Sequence, residues 1–178
     1  MSNAVVQIMR ALDYAARKHA VQRRKGAAQE PYINHLAEVA YLLAEATGGS
    51  DTNLIIAGLL HDCIEDQGVT HADLAAHFGA DVADLVRDVT DDKTLPKTER
   101  KRLQVEDTPH KSDRVKMLKI ADKTANLRSL AVSPPSGWDR QRIRDYYAWA
   151  TAVVAGCRGV NALLEEKFDA AYRSGQHY

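Results

Sequence analysis

The chain has 178 residues, of which 45% are hydrophobic and 27% charged, the proportions of a soluble globular protein. We therefore expect one domain over residues 1–178. The 24 Lys and Arg side chains balance 24 Asp and Glu side chains, so net charge does not favour nucleic acid or a membrane surface as a partner. Two cysteines are too few for a disulfide framework and fit a reducing, cytoplasmic location. No apolar run is long enough to span a membrane, and the N-terminus lacks a secretory signal pattern.

Apolar residues recur at helical spacing along most of the chain, and no convincing alternating strand pattern interrupts them. Asn34 is the expected N-cap of the second helix, and Gly48-Gly49 should end it. The predicted helices span residues 4–17, 34–47, 52–66, 70–78, 82–90, 97–106, 115–130, 139–157 and 160–172. The expected fold is all-α, a compact irregular helical bundle without repeats or a second domain.

The third predicted helix is nearly all apolar until it ends in His61, Asp62, Glu65 and Asp66. Burying such ionisable groups is costly unless something compensates their charge, and a metal ion would do so. The alternative is a helix that reaches the surface after Leu60, and this stretch alone fits both readings. On a helix, neighbours such as His61 and Asp62 point about 100° apart, so both can reach an ion that lies between them. Further ligands must come from other helices.

His35, in the first turn of the second helix, and Asp122, inside the apolar helix 115–130, are the candidates for those further ligands. The alternative for Asp122 is a structural salt bridge with Lys119 or Lys123. Two imidazoles and two carboxylates suit Mn²⁺, Fe²⁺ or Zn²⁺. Four protein ligands leave room on an octahedral ion for a water molecule, whose pKa the ion lowers.

Five segments carry a resemblance to the histidine-aspartate (HD) phosphohydrolases, and more closely to the hydrolase domain of the RelA/SpoT alarmone enzymes. These segments are Tyr32–His35, Leu59–Asp66, Phe78-Gly79, Val89–Lys93 and Ala121–Leu127. Residues 91–104, 137–138 and 146–150 resemble the small stand-alone form of this family, of the metazoan SpoT homologue type. The resemblance covers residues 11–166. Leu36 and Gln67 depart from the proline and threonine of many relatives, but neither change removes a candidate ligand or carboxylate.

The resemblance implies a Mn²⁺-dependent pyrophosphohydrolase of the HD-domain type. Such an enzyme removes the 3′-diphosphate from ppGpp or pppGpp and leaves GDP or GTP and pyrophosphate. By the same resemblance, Glu65 and Asp66 orient and deprotonate the attacking water. The implied metal ligands are His35, His61, Asp62 and Asp122.

Six residues match substrate-contacting positions of the family. Arg24 and Lys25 match the loop that packs on the base, and a guanidinium can stack on a purine. The other four match positions near the sugar and phosphates, or can neutralise phosphate charge: Asn126, Tyr146, Lys97 and Arg142. The alternative for the basic residues is an ordinary solvated surface.

Several other conspicuous residues are expected to have structural roles only. Trp138 and Trp149 are predicted to be packing residues, Cys63 a small core residue, and the basic run 100–102 a solvated helix face. The remaining histidines are predicted to be surface or capping residues: His19, His71, His77, His110 and His177.

Two other functions fit the same residues. One is a phosphatase acting on another nucleotide with a phosphate on its ribose, such as NADPH. The other is a sensor that binds a nucleotide without turnover, which the adjacent carboxylates Glu65 and Asp66 argue against. The sequence carries no signal for an oligomeric state.

Overall fold

A computed structural model describes residues 3–175, which form ten α-helices and one short 3-10 helix. The helices are α1 (Ala4–Lys18), α2 (Ile33–Thr47), α3 (Thr52–Leu60), α4 (Cys63–Gln67), α5 (His71–Phe78), α6 (Ala80–Val89), α7 (Lys97–Asp107), the 3-10 helix (Thr108–His110), α8 (Asp113–Val132), α9 (Arg140–Ala155) and α10 (Ala162–Ser174). Within these residues the only β-type pairing is an isolated antiparallel bridge between Arg23 and Pro31. The predicted all-α fold is confirmed. None of the described helices is long and apolar enough to cross a membrane.

Helix α3 lies at the centre of the bundle, with every residue from Leu54 to Leu60 buried. It packs against α1, α2, α6 and α8, and α8 is the second helix of the core. Gly58 permits the close approach of α2, because a Cβ atom there would lie 3.2 Å from the Cα atom of Ala40. This packing places the start of α2 and the end of α3 side by side, which is where His35 and His61 lie.

The predicted continuous helix over residues 52–66 is wrong, because the chain breaks between α3 and α4 at His61 and Asp62. The Nδ1 atom of His61 lies 2.8 Å from the carbonyl oxygen of Gly58 and forms a hydrogen bond with this backbone acceptor at the end of α3. Asp62, with φ −98° and ψ 0°, occupies the N-cap position of α4, which starts at the next residue. The two side chains therefore do not diverge as on a helix, and His61 Nε2 lies 3.2 Å from Asp62 Oδ2.

The start of α2 also differs from the prediction. Tyr32, not Asn34, occupies the N-cap position, and its side chain makes no capping hydrogen bond. The end of the helix is as predicted, because Gly48 has the left-handed φ of 57° that a glycine adopts without strain. His35 consequently lies in the first turn, as the sequence suggested.

Candidate active site

The four predicted metal ligands come together from three places in the bundle: the first turn of α2, the break between α3 and α4, and the middle of α8. His35 Nε2 lies 3.3 Å from Asp122 Oδ1 and 3.8 Å from Asp62 Oδ2. His61 Nε2 lies 3.2 Å from Asp62 Oδ2 and 3.8 Å from Asp122 Oδ1. Both imidazole rings are buried, with 4% and 6% of their residues' surface exposed. Ligand atoms of His35, His61 and Asp62 all lie within 4.8 Å of one another, as a metal site requires, and Asp122 approaches both imidazoles from α8.

The protonation of His61 indicates that this site suits a cation. A carbonyl oxygen only accepts hydrogen bonds, so the Nδ1 atom of His61 must donate to Gly58, and Nε2 of the neutral ring carries a lone pair. Nε2 is buried and has no hydrogen-bond partner among the described residues. Because Nε2 faces the carboxylates of Asp62 and Asp122, a positive charge belongs at this point: a proton on the ring in the metal-free protein, or a divalent ion in its place. The donor set therefore fits a divalent ion.

The charges of the site agree with this fit. Burial opposes ionisation of Asp122, but Lys123, with Nζ 2.9 Å from Oδ2, and the two histidines hold the pKa of Asp122 well below its usual range. Burial also disfavours a charged His61, yet Asp62 and Asp122 outweigh it and raise the pKa of His61 to about 10. Burial lowers the pKa of His35. A metal ion would therefore displace a proton from His61 and find the other ligands already deprotonated.

Hydrogen bonds from a second layer of residues orient the carboxylates. The hydroxyl of Tyr32 donates to Asp62 Oδ2 at 2.7 Å. Asn126 donates from Nδ2 to Asp122 Oδ1 at 2.7 Å, and its own Oδ1 accepts from Arg24 at 2.7 Å. Such outer partners fix ligand orientation and usually contribute to metal affinity. Asn126 and Arg24, predicted as substrate residues, are thus also connected to the ligand set.

Glu65 and Asp66 lie on α4, one turn beyond Asp62. The backbone N–H of Asp91 donates to Glu65 Oε2 at 3.3 Å, and Lys93 Nζ donates to Asp66 Oδ1 at 2.5 Å. Burial, followed by the nearby Asp62 and Asp91 charges, raises the pKa of Glu65. A carboxylate with a raised pKa is a stronger base than an exposed one, which suits proton abstraction from water.

A cavity of about 610 Å³ opens beside the ligands and contains both Glu65 and Asp66 in its wall. All six predicted substrate residues also line it: Arg24, Lys25, Lys97, Asn126, Arg142 and Tyr146. Burial raises the pKa of Tyr146 to about 12, so its phenol remains a hydrogen-bond donor at neutral pH. A smaller cavity of about 140 Å³ is lined by all four predicted ligands, and it shares Asp62, Glu65 and Asn126, among other residues, with the larger one.

The sequence analysis missed part of the cavity wall. Lys101 lies with Nζ 4.5 Å from the ring centroid of Trp149, whose indole N–H donates to the Lys101 carbonyl at 3.0 Å. The guanidinium of Arg142 lies 4.6 Å from the ring centroid of Trp138. The two tryptophans thus hold cations at the cavity rather than merely filling space. Lys101 follows the predicted substrate residue Lys97 by four positions, so the two lie on the same face of α7.

The prediction that residues 100–102 form a solvated face is wrong for two of the three. Arg100 and Lys101 both line the large cavity, and Arg100 lies 3.8 Å from Glu65 Oε1. Arg102 alone points to solvent, where it pairs with Glu99 and Glu106. A helix whose residues are polar on every side can therefore still have one face that lines a functional cavity.

The predictions for the remaining histidines have mixed outcomes. His77 and His110 are exposed, and His71 pairs at the surface with Asp84. His19 is the exception, because it caps α1 through its backbone but is only 2% exposed. His177 lies outside the described residues. Cys63 is completely buried, as predicted for a small core residue.

The fold and the two-histidine, two-aspartate cluster define an HD-domain protein. The family model described as HD domain matches residues 11–149, and the chain belongs to this family. The predicted resemblance is confirmed.

Within the family, the chain is similar to vertebrate proteins named guanosine-3′,5′-bis(diphosphate) 3′-pyrophosphohydrolase MESH1. It is 49% identical to that of Xenopus tropicalis over 95% of this chain and 94% of the relative. It is also 49% identical to that of Homo sapiens, over 93% of each chain. A solved metazoan orthologue of SpoT, which hydrolyzes ppGpp and plays a role in starvation responses, superposes with a TM-score of 0.90 at 46% identity, over 94% of each chain.

Proposed function

We propose that this protein is a metal-dependent hydrolase that removes the 3′-diphosphate of ppGpp and pppGpp, releasing pyrophosphate and leaving GDP or GTP. The observation that carries the proposal is the buried Nε2 of His61, which lies 3.2 Å from Asp62 and 3.8 Å from Asp122, next to Glu65 in the wall of a cation-lined cavity. The relatives named as pyrophosphohydrolases support it over almost their whole length. We assign the activity to one domain over residues 1–178.

Manganese is the ion that we propose, with Fe²⁺ and Zn²⁺ as chemically similar alternatives. His35, His61, Asp62 and Asp122 would hold it. A divalent ion there supplies Lewis-acid chemistry, because it lowers the pKa of water and offsets negative charge on a phosphate. A cytoplasmic location is part of the proposal, and it is supported by two buried cysteines without a disulfide.

In the reaction, the oxygen of water forms a bond to the phosphorus atom attached to the ribose O3′. The P–O3′ bond breaks, its electron pair stays on O3′, and O3′ takes a proton to become the free hydroxyl. Glu65 and Asp66 orient the attacking water and accept one of its protons, since both carboxylates face the cavity beside the ligands. Lys93 Nζ donates a hydrogen bond to Asp66 Oδ1 and lies 3.8 Å from Glu65 Oε1. Its positive charge reduces the repulsion between the two carboxylates.

The cavity wall supplies complementary groups for the rest of the nucleotide. Arg24 lies 5.5 Å from the ring centroid of Tyr32, and the guanidinium plane suits stacking on a purine. Lys97, Lys101 and Arg142 have no carboxylate within ion-pair distance in the part of the chain described here, and all three line the cavity. Burial, followed by neighbouring positive charge, lowers the pKa of both lysines. A phosphate group would relieve this repulsion.

The direct test is purified protein with ppGpp and Mn²⁺, with pyrophosphate release as the readout. We expect turnover by the wild type, loss of turnover in His61→Ala and Glu65→Gln, and normal turnover in His77→Ala, which changes an exposed histidine. Tight binding of ppGpp without product would instead indicate a sensor. A parallel measurement of kcat/KM for NADPH decides the second candidate, and a higher value for NADPH would overturn the ppGpp assignment.

A further inference from the structure

A partly buried chain of hydrogen bonds leads from the core to Asp66. The thiol of Cys63 lies 3.6 Å from His19 Nε2, and His19 Nδ1 lies 2.5 Å from Gln22 Oε1. The amide nitrogen of Gln67 lies 2.5 Å from the same Gln22 oxygen. Gln22 then donates from Nε2 to Asp66 Oδ2 at 2.9 Å. Neither His19 nor Gln22 belongs to the ligand set or the substrate residues described above.

The contacts of Gln22 leave one consistent set of donors and acceptors. An amide oxygen has two lone pairs and no proton, so the two shortest contacts assign His19 Nδ1 and Gln67 Nε2 as donors to Gln22 Oε1. These two nitrogens also lie 3.2 Å from each other, and in this assignment that longer contact joins two donors. With its proton on Nδ1, the His19 ring presents Nε2 as an acceptor to the thiol of Cys63. Turning the Gln22 amide over would place its oxygen against the Asp66 carboxylate, where the two acceptors repel each other.

The surrounding structure holds the side chains of this hydrogen-bond chain in place. The His19 ring is stacked on Tyr32 with centroids 5.2 Å apart and planes 11° from parallel. The backbone of Gln22 is fixed on both sides, since its N–H donates to the His19 carbonyl at 3.0 Å and its carbonyl accepts from Tyr32 at 3.1 Å. His19 is 2% exposed, so water does not compete for its ring nitrogens.

We propose that Gln22 is a positioning residue for Asp66, and that His19 and Gln67 fix its amide so that the NH₂ group faces the carboxylate. The Asp66 carboxylate is thereby held at both oxygens, by Gln22 at Oδ2 and by Lys93 at Oδ1. Without the Gln22 donor, Lys93 can pull the carboxylate towards the exposed loop after α6. The inference rests on the proposed function, because Asp66 is there one of the two groups that orient water.

The kinetic test compares variants of similar shape. Gln22→Met keeps the side-chain length but removes the donor, and we expect kcat for ppGpp to fall about 10–100-fold with KM unchanged, as for a misplaced catalytic group. The matched control is Gln141→Met, since Gln141 Nε2 also bonds an aspartate, Asp145, at 2.8 Å but on an exposed face. An unchanged kcat in Gln22→Met would overturn the inference, as would a rise in KM with unchanged kcat.

His19 offers a rescue test. The amide NH₂ of asparagine can replace the Nδ1–H donor of histidine, whereas leucine cannot. We therefore expect His19→Asn to retain most of the wild-type kcat and His19→Leu to lose about as much as Gln22→Met. Equal loss in both variants would show that only the ring packing on Tyr32 matters and would overturn the role of the donor.

The tautomer of His19 gives a readout that does not depend on turnover. In ¹⁵N-resolved NMR spectra we expect a proton on Nδ1 and none on Nε2 of His19 in the wild type. The opposite tautomer in a protein that hydrolyses ppGpp would reject this inference alone. The expected tautomer in a folded protein that does not hydrolyse ppGpp would reject the proposed function alone and would support the hydrogen-bond chain.

Discussion

Replacing Tyr32 with phenylalanine tests whether the second layer of residues sets metal affinity. The change removes one hydroxyl, whose hydrogen bond to Asp62 Oδ2 is 2.7 Å long. The ring would keep its stacking on His19 and its edge contact with His35, at 5.2 Å and 5.6 Å between centroids. A hydrogen bond to a charged acceptor contributes about 1.5–3 kcal/mol, so we expect Tyr32→Phe to weaken Mn²⁺ binding about 10–100-fold.

The assay is calorimetric titration of the metal-free protein with Mn²⁺, followed by ppGpp hydrolysis over a range of Mn²⁺ concentrations. Because Tyr32 orients a ligand and does not contact the reacting water, saturating Mn²⁺ should restore kcat almost fully. Tyr41→Phe, at a residue that is 58% exposed, is the control and should change neither quantity. An unaltered affinity, or a kcat that stays low at saturating metal, would refute the reasoning.

Three further predictions test the packing, the cavity and the core. Gly58→Ala overpacks the contact between α2 and α3, and after the gain in helix propensity we expect a loss of about 1–2 kcal/mol and a Tm lower by about 2–8 °C. Gly137→Ala, where a Cβ atom meets nothing within 4 Å, should leave the Tm unchanged in the same thermal scan. Lys101→Met should raise KM for ppGpp about tenfold or more with little change in kcat, whereas Arg102→Met on the exposed face should change neither. Cys63, with a pKa raised to about 12 by burial, should react with a thiol reagent at pH 8 only after unfolding, and rapid labelling of the native protein would contradict its burial.

The helices could be predicted because their apolar residues recur with the helical period and their ends carry glycine or capping residues. The break at His61 and Asp62 could not be predicted, because residues 60–66 contain no glycine or proline and their pattern indicates an uninterrupted helix. It involves the bond from the His61 ring to the Gly58 carbonyl, and contacts of Asp62 with Tyr32 and His35, which lie far from Asp62 in sequence. Tertiary structure overrides local propensity at this point.

The ligand candidates were recognisable because histidine and aspartate stand inside apolar helices, where an unpaired charge is costly. The burial of His19 could not be recognised, because this residue precedes a basic, polar loop. Its neighbours in space, Cys63 and Gln67, lie 44 and 48 residues away in the sequence. Lys101 was missed for a similar reason. Helix α7 has no buried residue, so its sequence does not distinguish the side that faces the cavity from the side that faces solvent.

The net charge of zero conceals a strong separation of charge within the cavity. Carboxylates gather at one end, around the ligands and α4, with Lys93 and Arg100 beside them. At the other end, Lys97, Lys101 and Arg142 have no ion-pair partner in the described chain, although Asp145 also lines the cavity. A metal ion compensates the first end and phosphate groups compensate the second, so a nucleotide with phosphates at both ribose ends can satisfy the two at once. Local arrangement, which overall composition cannot report, therefore decides that the partner of this neutral protein is a polyanion.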